Sequence, residues 1–366
     1  MRICLICVEI FAWGKFGGYG RATRELGRLF VKSGIEVTAV VPLRHNQRPL
    51  ETLDGIKVLG FPLSAPWQAQ DLFESCNADL FHSQEPSLAT FFAMRARPDA
   101  RHVVTIRDPK YLSDWLMELR YPSISLARTF LSRFYDINFL VRRAVRSADA
   151  VLCTTFDGRE KAKRLYRLQK LPQFMPSPIA VPEITRPKNI KPTVCMVGRW
   201  DKRKRPEMFF ELARRFPDVD FIAVGKSHDS QRDRELRDRY SRIPNLKLVG
   251  WIDQFTSDDL FDILAASWIL VNTAAREGLP TSMLEGMACG CAVLSGVNPD
   301  KVAERFGFHV TDDDFATGLK ALLADDHWKA RGEAAREYVL AYYETSRSRD
   351  RHLDLYRQLL DHGRHG

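Results

Sequence analysis

The sequence lacks several features that would assign it to a common class of protein. No apolar run reaches the roughly 18 residues needed to cross a bilayer, and the first eight residues are too short for a signal peptide and predict a strand. The seven cysteines are odd in number. Cys4 and Cys7 form a CxxC within that strand, without a second pair at metal-ligand spacing. We therefore expect buried thiols in a reducing cytosol rather than a disulfide framework or a zinc site.

Nucleic-acid-binding motifs and basic repeats with interleaved aromatic residues are also absent, although the formal net charge is +9. A positive balance favours acidic partners such as nucleotide diphosphates or anionic lipid headgroups, and the missing motifs disfavour nucleic acid. A chain of 366 residues with 45% hydrophobic and 28% charged residues is typical of a globular protein with two domains and sizeable cores.

One stretch organises the second half of the chain. Residues 268–273 form a short apolar run with β-branched residues, which predicts a buried strand, and a Gly-Leu-Pro insert ends it. From Thr281 the pattern becomes helical, Gly290 lies where a helix ends, and residues 291–295 predict the next strand. The helix N-terminus then faces the carboxyl end of a strand. That is the usual ligand crevice of an open α/β sheet, and it suits an anion such as a diphosphate.

Two glutamates mark this unit. Glu277 lies in the loop and Glu285 in the helix, about one turn past Thr281, so both can face the same crevice. An ionised carboxylate only accepts hydrogen bonds. It therefore suits the vicinal hydroxyls of a ribose or hexose, and it can offset positive charge that develops on a sugar ring. The alternative is that Glu277 caps the helix and Glu285 is a solvated helix residue.

The stretch resembles the donor-site signature of the retaining, GT-B fold glycosyltransferases of family 4, whose usual form is E-G-x-x-x-x-x-x-E-A-M-A-C-G. Glu277 and Glu285 match its two glutamates, and Gly286 is the one departure, where alanine is usual. The resemblance implies an α/β, GT-B fold with two Rossmann-like domains facing across a cleft and a C-terminal helix that crosses back to the first domain. The predicted parts are an N-terminal acceptor-binding domain (1–182), a proline-rich linker (183–192), a nucleotide-sugar-binding domain (193–345) and the returning helix (346–366).

A second motif matches the family's G-R-x-x-x-x-K pair. A predicted strand ends at Gly198, a basic loop carries Arg199 and Lys204, and Pro206 opens a helix. The residues alone are also consistent with a solvated basic turn, but two cations beside a helix N-terminus are what a metal-free diphosphate site requires. The resemblance implies that Arg199 and Lys204 hold the donor diphosphate and stabilise the leaving group. It implies no metal ion and no cofactor besides the donor sugar nucleotide.

The resemblance also assigns further donor contacts. Glu285 would bind ribose hydroxyls, whereas Glu277 would bind sugar hydroxyls and stabilise an oxocarbenium-like state. No matched carboxylate is placed to attack the anomeric carbon, so the two-carboxylate mechanism of retaining glycosidases is not transferred here. The remaining candidates are the Gly17-Gly18 pair, which alone is typical of a tight turn, Trp251 and Ile252 near the base, and Gly278, Leu279, Pro280 and Thr281 near the diphosphate.

The first half of the chain departs from the family at histidine positions. In a segment that resembles D-x-x-H-x-H, His82 matches the first histidine and Gln84 replaces the second. Where the family has T-x-H near the donor hexose, this chain has Arg107 followed by Asp108, and Ser177 replaces the asparagine of a P-N-P segment. Arginine clamps phosphate or carboxylate but cannot shuttle protons near neutral pH. Either the acceptor or donor is acidic, or the histidine's role is dispensable or lost.

These observations place Arg107 and Asp108 among the catalytic candidates, with Glu277, Arg199 and Lys204. They place His82 and Arg107 on the acceptor side. Residues 110–146 are aromatic and basic, and their second part has helical spacing. That part is either an amphipathic helix on an anionic membrane or, as we favour, an ordinary helix packed on the sheet. We expect a cytoplasmic protein, with peripheral contact at the inner face of the membrane left open.

The sequence therefore predicts a retaining hexosyltransferase. It would move a hexose from a nucleotide-diphosphate sugar to a glycan, lipid-linked or small-molecule acceptor in cell-surface polysaccharide or glycoconjugate biosynthesis. Two alternatives remain. A sugar-nucleotide-binding protein without transfer activity would bind donor without turnover, and an epimerase of the same fold would consume donor without any acceptor.

Overall fold

The computed structural model describes residues 1–14, 17–44, 46–122, 137–183 and 187–362. Contacts between residues divide the chain into two compact units. Of the described residues, the first unit takes 1–111, 137–178 and 345–362, and the second unit takes 112–122, 179–183 and 187–344.

Helices connect the strands of both units. They are Gly18–Lys32 (α1), Ala69–Ser75 (α2), Leu88–Ala96 (α3), Leu112–Arg120 (α4), Phe139–Ser147 (α5), Phe156–Tyr166 (α6), Pro206–Arg215 (α7), Ser230–Tyr240 (α8), Asp259–Ala266 (α9), Thr281–Ala288 (α10), Val302–Phe306 (α11), Phe315–Leu323 (α12), His327–Tyr342 (α13) and Thr345–His362 (α14). Short 3₁₀ turns lie at Pro66–Gln68, Pro299–Lys301 and Ala324–Asp326.

The first unit is built on one mostly parallel sheet. Its strands in the described residues are Arg2–Ile6 (β1), Glu36–Pro42 (β2), Leu50–Leu53 (β3), Ile56–Phe61 (β4), Leu80–Ser83 (β5), Arg101–Ile106 (β6), Ala150–Cys153 (β7) and Gln173–Phe174 (β8). They lie in the order β3-β4-β2-β1-β5-β6-β7-β8, and only β3 and β4 pair antiparallel. The strand order reverses between β1 and β5, where Ile6 lies opposite Ser83.

The last helix completes the core of the first unit. Leu353 and Tyr356 of α14 belong to the same buried cluster as Ile3 of β1 and Leu26 of α1. The strands are nearly continuous apolar runs because helices cover both faces of a parallel sheet. The predicted return of the C-terminal helix to the first domain is therefore confirmed.

The second unit has a wholly parallel sheet. The described strands are Thr193–Val197 (β9), Asp220–Val224 (β10), Leu246–Gly250 (β11), Ile269–Asn272 (β12), Ala292–Ser295 (β13) and Gly307–His309 (β14). Their order is β11-β10-β9-β12-β13-β14, and it reverses between β9 and β12, where Cys195 lies opposite Leu270. Both units are thus Rossmann-like, as predicted.

The local predictions for the second unit are confirmed closely. The unit predicted around Thr281 is present as β12, a loop, α10 and β13, and Gly290 takes the left-handed conformation (φ +72°) that ends the helix.

The sequence predicts a glycine-rich turn followed by a helix from Ala22, whereas α1 starts four residues earlier, at Gly18. The first turn of α1 packs on the backbone that follows β1. A Cβ on Gly20 would lie 2.9 Å from the carbonyl carbon of Ile10, so glycine is needed at this position inside the helix.

Helix α4 groups with the second unit, although it lies within the predicted N-terminal domain 1–182. Its acidic residues pair with arginines of the second unit, as described below. Of the aromatic and basic segment 110–146, residues 123–136 fall outside the described residues. In α5, Val141 and Val145 are buried while Arg143 and Arg146 are exposed, which agrees with a helix packed on the sheet. None of the helices in the described ranges has the length and apolar content of a membrane span.

Candidate functional site

The candidate donor residues of the second unit lie where its strand order reverses. The loop after β9 carries Arg199 and Lys204, and the loop after β12 carries Glu277. Because β9 and β12 are adjacent and parallel, their carboxyl ends open at the same edge of the sheet. This is the position at which open α/β sheets bind ligands.

Hydrogen bonds join the two loops directly. The Thr273 hydroxyl donates to the backbone oxygens of Lys204 (2.6 Å) and Arg205 (3.0 Å), and Arg205 Nε donates to the Thr273 oxygen (2.7 Å). The backbone N–H of Ala275 donates to the oxygen of Arg203 (2.9 Å). A shift of one loop therefore carries the other with it.

Lys204 and Glu277 form an ion pair between these loops. Lys204 Nζ lies 2.8 Å from Glu277 Oε1, and the side chains are only 12% and 14% exposed. Burial by itself raises the pKa of Glu277, but the charges of Lys204, Arg203 and Arg199 outweigh burial and lower that pKa below its ordinary value. Glu277 is therefore an ionised acceptor at neutral pH.

Asp201 shapes the loop that carries the two predicted cations. Its Oδ1 accepts a hydrogen bond from the backbone N–H of Lys204 (3.1 Å), and its Oδ2 lies 3.4 Å from Arg199 Nη2. The loop also passes close to the end of β10. Gly225 has φ +141°, and a Cβ there would lie 1.8 Å from the Gly198 oxygen, so this approach requires glycine.

A second group of charges lies behind the Lys204–Glu277 pair. Glu118 Oε1 of α4 lies 3.1 Å from Arg203 Nη1 and 3.0 Å from Arg276 Nη1. Asp114, one turn earlier, lies 3.1 Å from Arg276 Nε. Arg203 and Arg276 immediately precede Lys204 and Glu277, so one buried carboxylate ties together the residues next to both candidate site groups.

Helix α10 begins beside this cluster. Its N-cap residue, Pro280, has no side-chain group that could cap it, and the Pro280 oxygen accepts from the amides of Met283 and Leu284, so the amides of Thr281 and Ser282 face the loop end. Glu285 lies on the second turn and is only 4% exposed. The family departure at Gly286 has a steric reason, because a Cβ there would lie 3.0 Å from Leu270 Cβ of β12. The helix sits closer to the strand than alanine permits without a small shift.

The predicted base contacts lie at the next strand end. Trp251 directly follows β11 and is 42% exposed, and Ile252 is half-buried. Lys226, which the sequence analysis did not single out, follows β10 and places its Nζ 5.6 Å from the centre of the Trp251 ring. The exposed aromatic face can stack on a planar base.

At the corresponding edge of the first unit, Glu9 faces the start of α1. Gly17 is the N-cap and Gly18 the first helical residue. The N–H of Gly20 donates to Glu9 Oε1 (3.3 Å), and a Cβ on Gly17 would lie 2.0 Å from the same oxygen. The helix end whose glycine pair is a candidate donor contact is therefore met by a carboxylate of the chain itself.

His82 is completely buried. Its Nδ1 lies 2.5 Å from the Tyr356 hydroxyl and 3.0 Å from Gln84 Nε2, and its Nε2 lies 2.7 Å from the Thr105 hydroxyl. Burial, with the nearby charges of His352 and Arg107, holds the pKa of His82 well below its ordinary value. These surroundings favour a neutral, structural histidine over the predicted contact with an acceptor.

Arg107 brings together the positions at which the first half departs from the family. Arg107 Nε donates to the backbone oxygen of Gln84 (3.0 Å), Nη2 to Gln84 Oε1 (2.6 Å) and Nη1 to the Ser177 hydroxyl (2.5 Å). Its own N–H donates to Glu85 Oε2 (3.0 Å), and Asp108 follows half-buried. The sequence could not show that Gln84, Arg107 and Ser177 touch.

The structure thus brings together Arg199, Lys204, Glu277 and the start of α10 in the second unit, and separately His82 and Arg107 in the first. Four further residues could not be predicted from the sequence, because their roles depend on contacts between distant segments: Asp201, Thr273, Arg203 and Glu118. In the described part of the chain, no group of three histidine, cysteine, aspartate or glutamate residues lies together that could hold a metal ion.

Comparisons with known proteins bear on these sites. The family description "Glycosyl transferase 4-like domain" matches residues 17–170, and "Glycosyl transferases group 1" matches residues 191–325. The chain belongs to the family 4 glycosyltransferases. These two regions cover the glycine pair of α1 and the Arg199, Lys204, Glu277 and Glu285 motifs.

Curated family members are distant in sequence. One subunit of the human phosphatidylinositol N-acetylglucosaminyltransferase is 22% identical over 319 residues, covering 80% of this chain and 61% of that protein. The alpha-maltose-1-phosphate synthase of Mycolicibacterium smegmatis is 25% identical over 293 residues, covering 70% of this chain and 73% of that protein. The chain therefore spans about six tenths to three quarters of the length of these relatives.

Solved structures of GT-B glycosyltransferases share the fold. Sucrose-phosphate synthase from Thermosynechococcus elongatus matches with a TM-score of 0.72 and 19% identity, over 98% of this chain and 99% of that one. Anabaena HepE in complex with UDP-glucose matches with a TM-score of 0.70 and 13% identity, over 98% of this chain and the whole of that one. The predicted GT-B class of fold is therefore confirmed.

Proposed function

We propose that this family 4 chain is a retaining glycosyltransferase that moves a hexose from a nucleotide-diphosphate sugar to an acceptor. The observation that carries the proposal is the buried Lys204–Glu277 pair where the strand order of the second sheet reverses. The pair places a cation and an ionised acceptor side by side in the loops that the family motifs mark.

The cations fit the leaving group of such a transfer. When the bond from the anomeric carbon to the diphosphate breaks, negative charge grows on the diphosphate. Lys204, Arg199 and the first amides of α10 are assigned to that charge, since fixed positive groups stabilise it most when they are held in place beforehand. The hydrogen bonds that Thr273 and Asp201 make with this loop supply that rigidity.

Glu277 fits the sugar side. Lys204 contacts its Oε1, and we assign Oε2 to a hydroxyl of the transferred hexose. Because the carboxylate stays ionised, its charge also stabilises an oxocarbenium-like ring as the leaving group departs. Glu285 is assigned to the ribose hydroxyls and Trp251 to the base.

The acceptor is proposed as a glycan, a lipid-linked sugar or a small molecule, in the synthesis of a cell-surface polysaccharide or glycoconjugate. The relatives' names support this range without narrowing it, because one names a phosphatidylinositol substrate and another a sugar phosphate product. The HepE complex with UDP-glucose makes UDP-sugars the first donors to test.

A thermal-shift titration against nucleotide-diphosphate sugars tests the donor site. We expect one donor to raise the melting temperature of the wild type, and Glu285→Ala and Arg199→Ala to lose that rise. Arg214→Ala is the matched control, because Arg214 lies on the exposed face of α7 and pairs with Glu211. No shift with any sugar nucleotide would remove the support for a donor site.

The other two functions are separated by following the donor after binding. Transfer requires release of the nucleotide diphosphate that depends on an acceptor and yields a product of retained anomeric configuration. Donor binding without turnover on any acceptor would indicate a binding protein. Consumption of donor without acceptor would indicate an epimerase.

A further inference from the structure

Arg107 is a buried cation that makes no ion pair with any residue the structure describes. Its side chain is 7% exposed. The groups that accept its three side-chain hydrogen bonds are the Gln84 backbone oxygen, the Gln84 amide oxygen and the Ser177 hydroxyl, all of them neutral. Glu85 is near, but its carboxylate accepts from the backbone N–H of Arg107.

The other buried arginines of the described chain each pair with a carboxylate. Arg24 lies 2.6 Å from Asp54, and Arg276 lies 3.0 Å from Glu118 and 3.1 Å from Asp114. A guanidinium taken out of water without a counter-ion is strongly unfavourable. Burial accordingly lowers the pKa of Arg107, although Glu85 opposes the shift, and arginine nonetheless stays charged near neutral pH. The fold therefore retains an energetic penalty at this one position.

The position of Arg107 suggests what offsets that penalty. Gln84 directly follows β5 and Arg107 directly follows β6, and these neighbouring strands end beside the reversal of strand order between β1 and β5. Ligands of open α/β sheets bind at such ends. A guanidinium has five N–H bonds, and three are used. One N–H on each terminal nitrogen is left for an acceptor from outside the described residues.

We propose that Arg107 binds a carboxylate or phosphate group of the substrate, with Gln84 and Ser177 holding its guanidinium in place. The inference rests on the proposed transferase function and adds the class of substrate. It also explains why Gln84 and Ser177, which differ from the family pattern as Arg107 does, both contact Arg107. Gln84 accepts two hydrogen bonds from the cation, and Ser177 accepts a third.

The anionic group belongs either to the donor sugar or to the acceptor, and titration calorimetry separates the two. In the donor arm, UDP-glucuronic acid is compared with UDP-glucose. In the acceptor arm, glucuronate and glucose 6-phosphate are compared with glucose, with and without UDP. Because the anionic member adds charge-assisted hydrogen bonds to the guanidinium, we expect it to bind about tenfold or more tightly in one arm.

Three variants assign that preference to Arg107. Arg107→Gln should bring the two members of the pair to within about twofold, while Arg107→Lys, which keeps the charge, should retain part of the preference. Arg101→Gln is the control, because Arg101 lies at the opposite end of the same strand and pairs with Asp149. Equal binding in both arms of the wild type, or an unchanged preference in Arg107→Gln, would overturn the inference.

Stability provides a separate check. Arg107→Gln breaks no ion pair and gives up only hydrogen bonds to the neutral groups of Gln84 and Ser177, so its melting temperature without ligand should fall little. If the melting temperature falls markedly, Ser177→Ala, which leaves the charge in place, decides: a weakened anion preference supports the inference, and an unchanged preference overturns it. A different result would refute the proposed transferase function. If no sugar nucleotide binds but the anion preference persists without UDP, the transferase proposal is lost and the Arg107 site stands.

Discussion

The two sheets of this chain reverse their strand order in the same way, but the loops at the two reversals carry different arrangements of charged residues. In the second unit the loops after β9 and β12 carry charges that pair with each other, Lys204 with Glu277 and Arg203 and Arg276 with Glu118. In the first unit the loop after β6 carries Arg107, whose side chain meets neutral acceptors.

The difference separates two ways of preparing a charged site. Paired charges fix the geometry of the loops before a ligand arrives, and the ligand has only to share them. A buried charge whose hydrogen bonds go to neutral groups is fixed in orientation but has no counter-ion, so the ligand itself must supply one. The first design suits a constant group such as a diphosphate, and the second suits discrimination between charged and neutral substrates.

Breaking the paired site at its centre should have the largest effect. Glu277→Gln keeps the shape of the side chain and removes its charge, so we expect donor turnover to fall about 10³-fold. Steady-state kinetics on the donor identified by thermal shift measures this loss. Asp313→Asn serves as the control, because Asp313 pairs with Arg205 of the same basic loop but is largely exposed. Turnover within a few-fold of wild type for Glu277→Gln would contradict its assigned role.

Removing the carboxylate behind the site should mainly reduce stability. Glu118→Gln leaves Arg203 and Arg276 close together without their shared acid, and breaking a buried pair on one side typically lowers the free energy of unfolding by about 3–5 kcal/mol. Denaturant unfolding measures the change. The Arg205–Asp313 pair, whose aspartate is largely exposed, should contribute less than about 1 kcal/mol when broken by Asp313→Asn. Equal effects from the two variants would mean that burial of the pair does not matter.

Acidification should weaken the two units at different pH values. Burial lowers the pKa of His352 to about 4 and the pKa of His82 well below its ordinary value. As the pH falls, these two histidines therefore take up protons in the unfolded chain before they do so in the folded chain. The stability that these histidines contribute is complete above pH 6.5 and is lost as pH falls toward 4. For His352 the loss in the free energy of unfolding reaches about 2 kcal/mol at pH 5. Glu277, whose pKa is lowered from 4.5, loses its contribution only below that value.

Amide hydrogen exchange followed by peptide at pH 7.5 and pH 5 measures this contrast. Peptides from β5, β6 and α14 should lose protection at pH 5 while those from β9 and β12 keep it. His352→Gln should reduce the loss in the first unit. If both units weaken together between pH 7.5 and pH 5, the contrast is wrong.

The smallest effect is expected at the edge of the donor site. Trp251→Ala removes the exposed ring beside Lys226, and loss of one stacked base should weaken donor binding about tenfold. Calorimetry with UDP measures the base contact without the sugar. Phe156→Ala is a suitable control, because Phe156 is also a partly exposed aromatic residue but belongs to the first unit and stacks on Phe174. Unchanged affinity for UDP in Trp251→Ala would exclude Trp251 from the base contact.

What could be predicted from the sequence follows from the range of the interactions involved. The strand, loop and helix around Glu277 were predictable because apolar periodicity, a Gly-Leu-Pro insert and a terminal Gly290 are local signals. The start of α1 was predicted wrongly, because glycine usually disfavours helix and only the packing of Gly20 on the Ile10 backbone reverses that preference.

The residues that support the two sites could not be predicted, because their contacts join distant segments of the chain. Glu118 and Arg203 are 85 residues apart, and Arg107 and Ser177 are 70 apart. Nothing in the local pattern around Glu118 distinguishes it from a solvated residue of an amphipathic helix, and burial becomes apparent only once α4 lies on the second unit. Candidate site residues could thus be named from motifs, whereas the residues that hold them in place could not.

The contact between His82 and Tyr356 has a consequence for synthesis of the protein. The two residues are 274 positions apart, so the strands of the first unit leave the ribosome long before the helix that closes their core. During that interval Phe30 lacks the ring of Tyr356, against which it later packs at 5.6 Å. The whole second unit is translated in the meantime and can fold first. The N-terminal half is therefore expected to be the last part to mature and the part that most needs a chaperone.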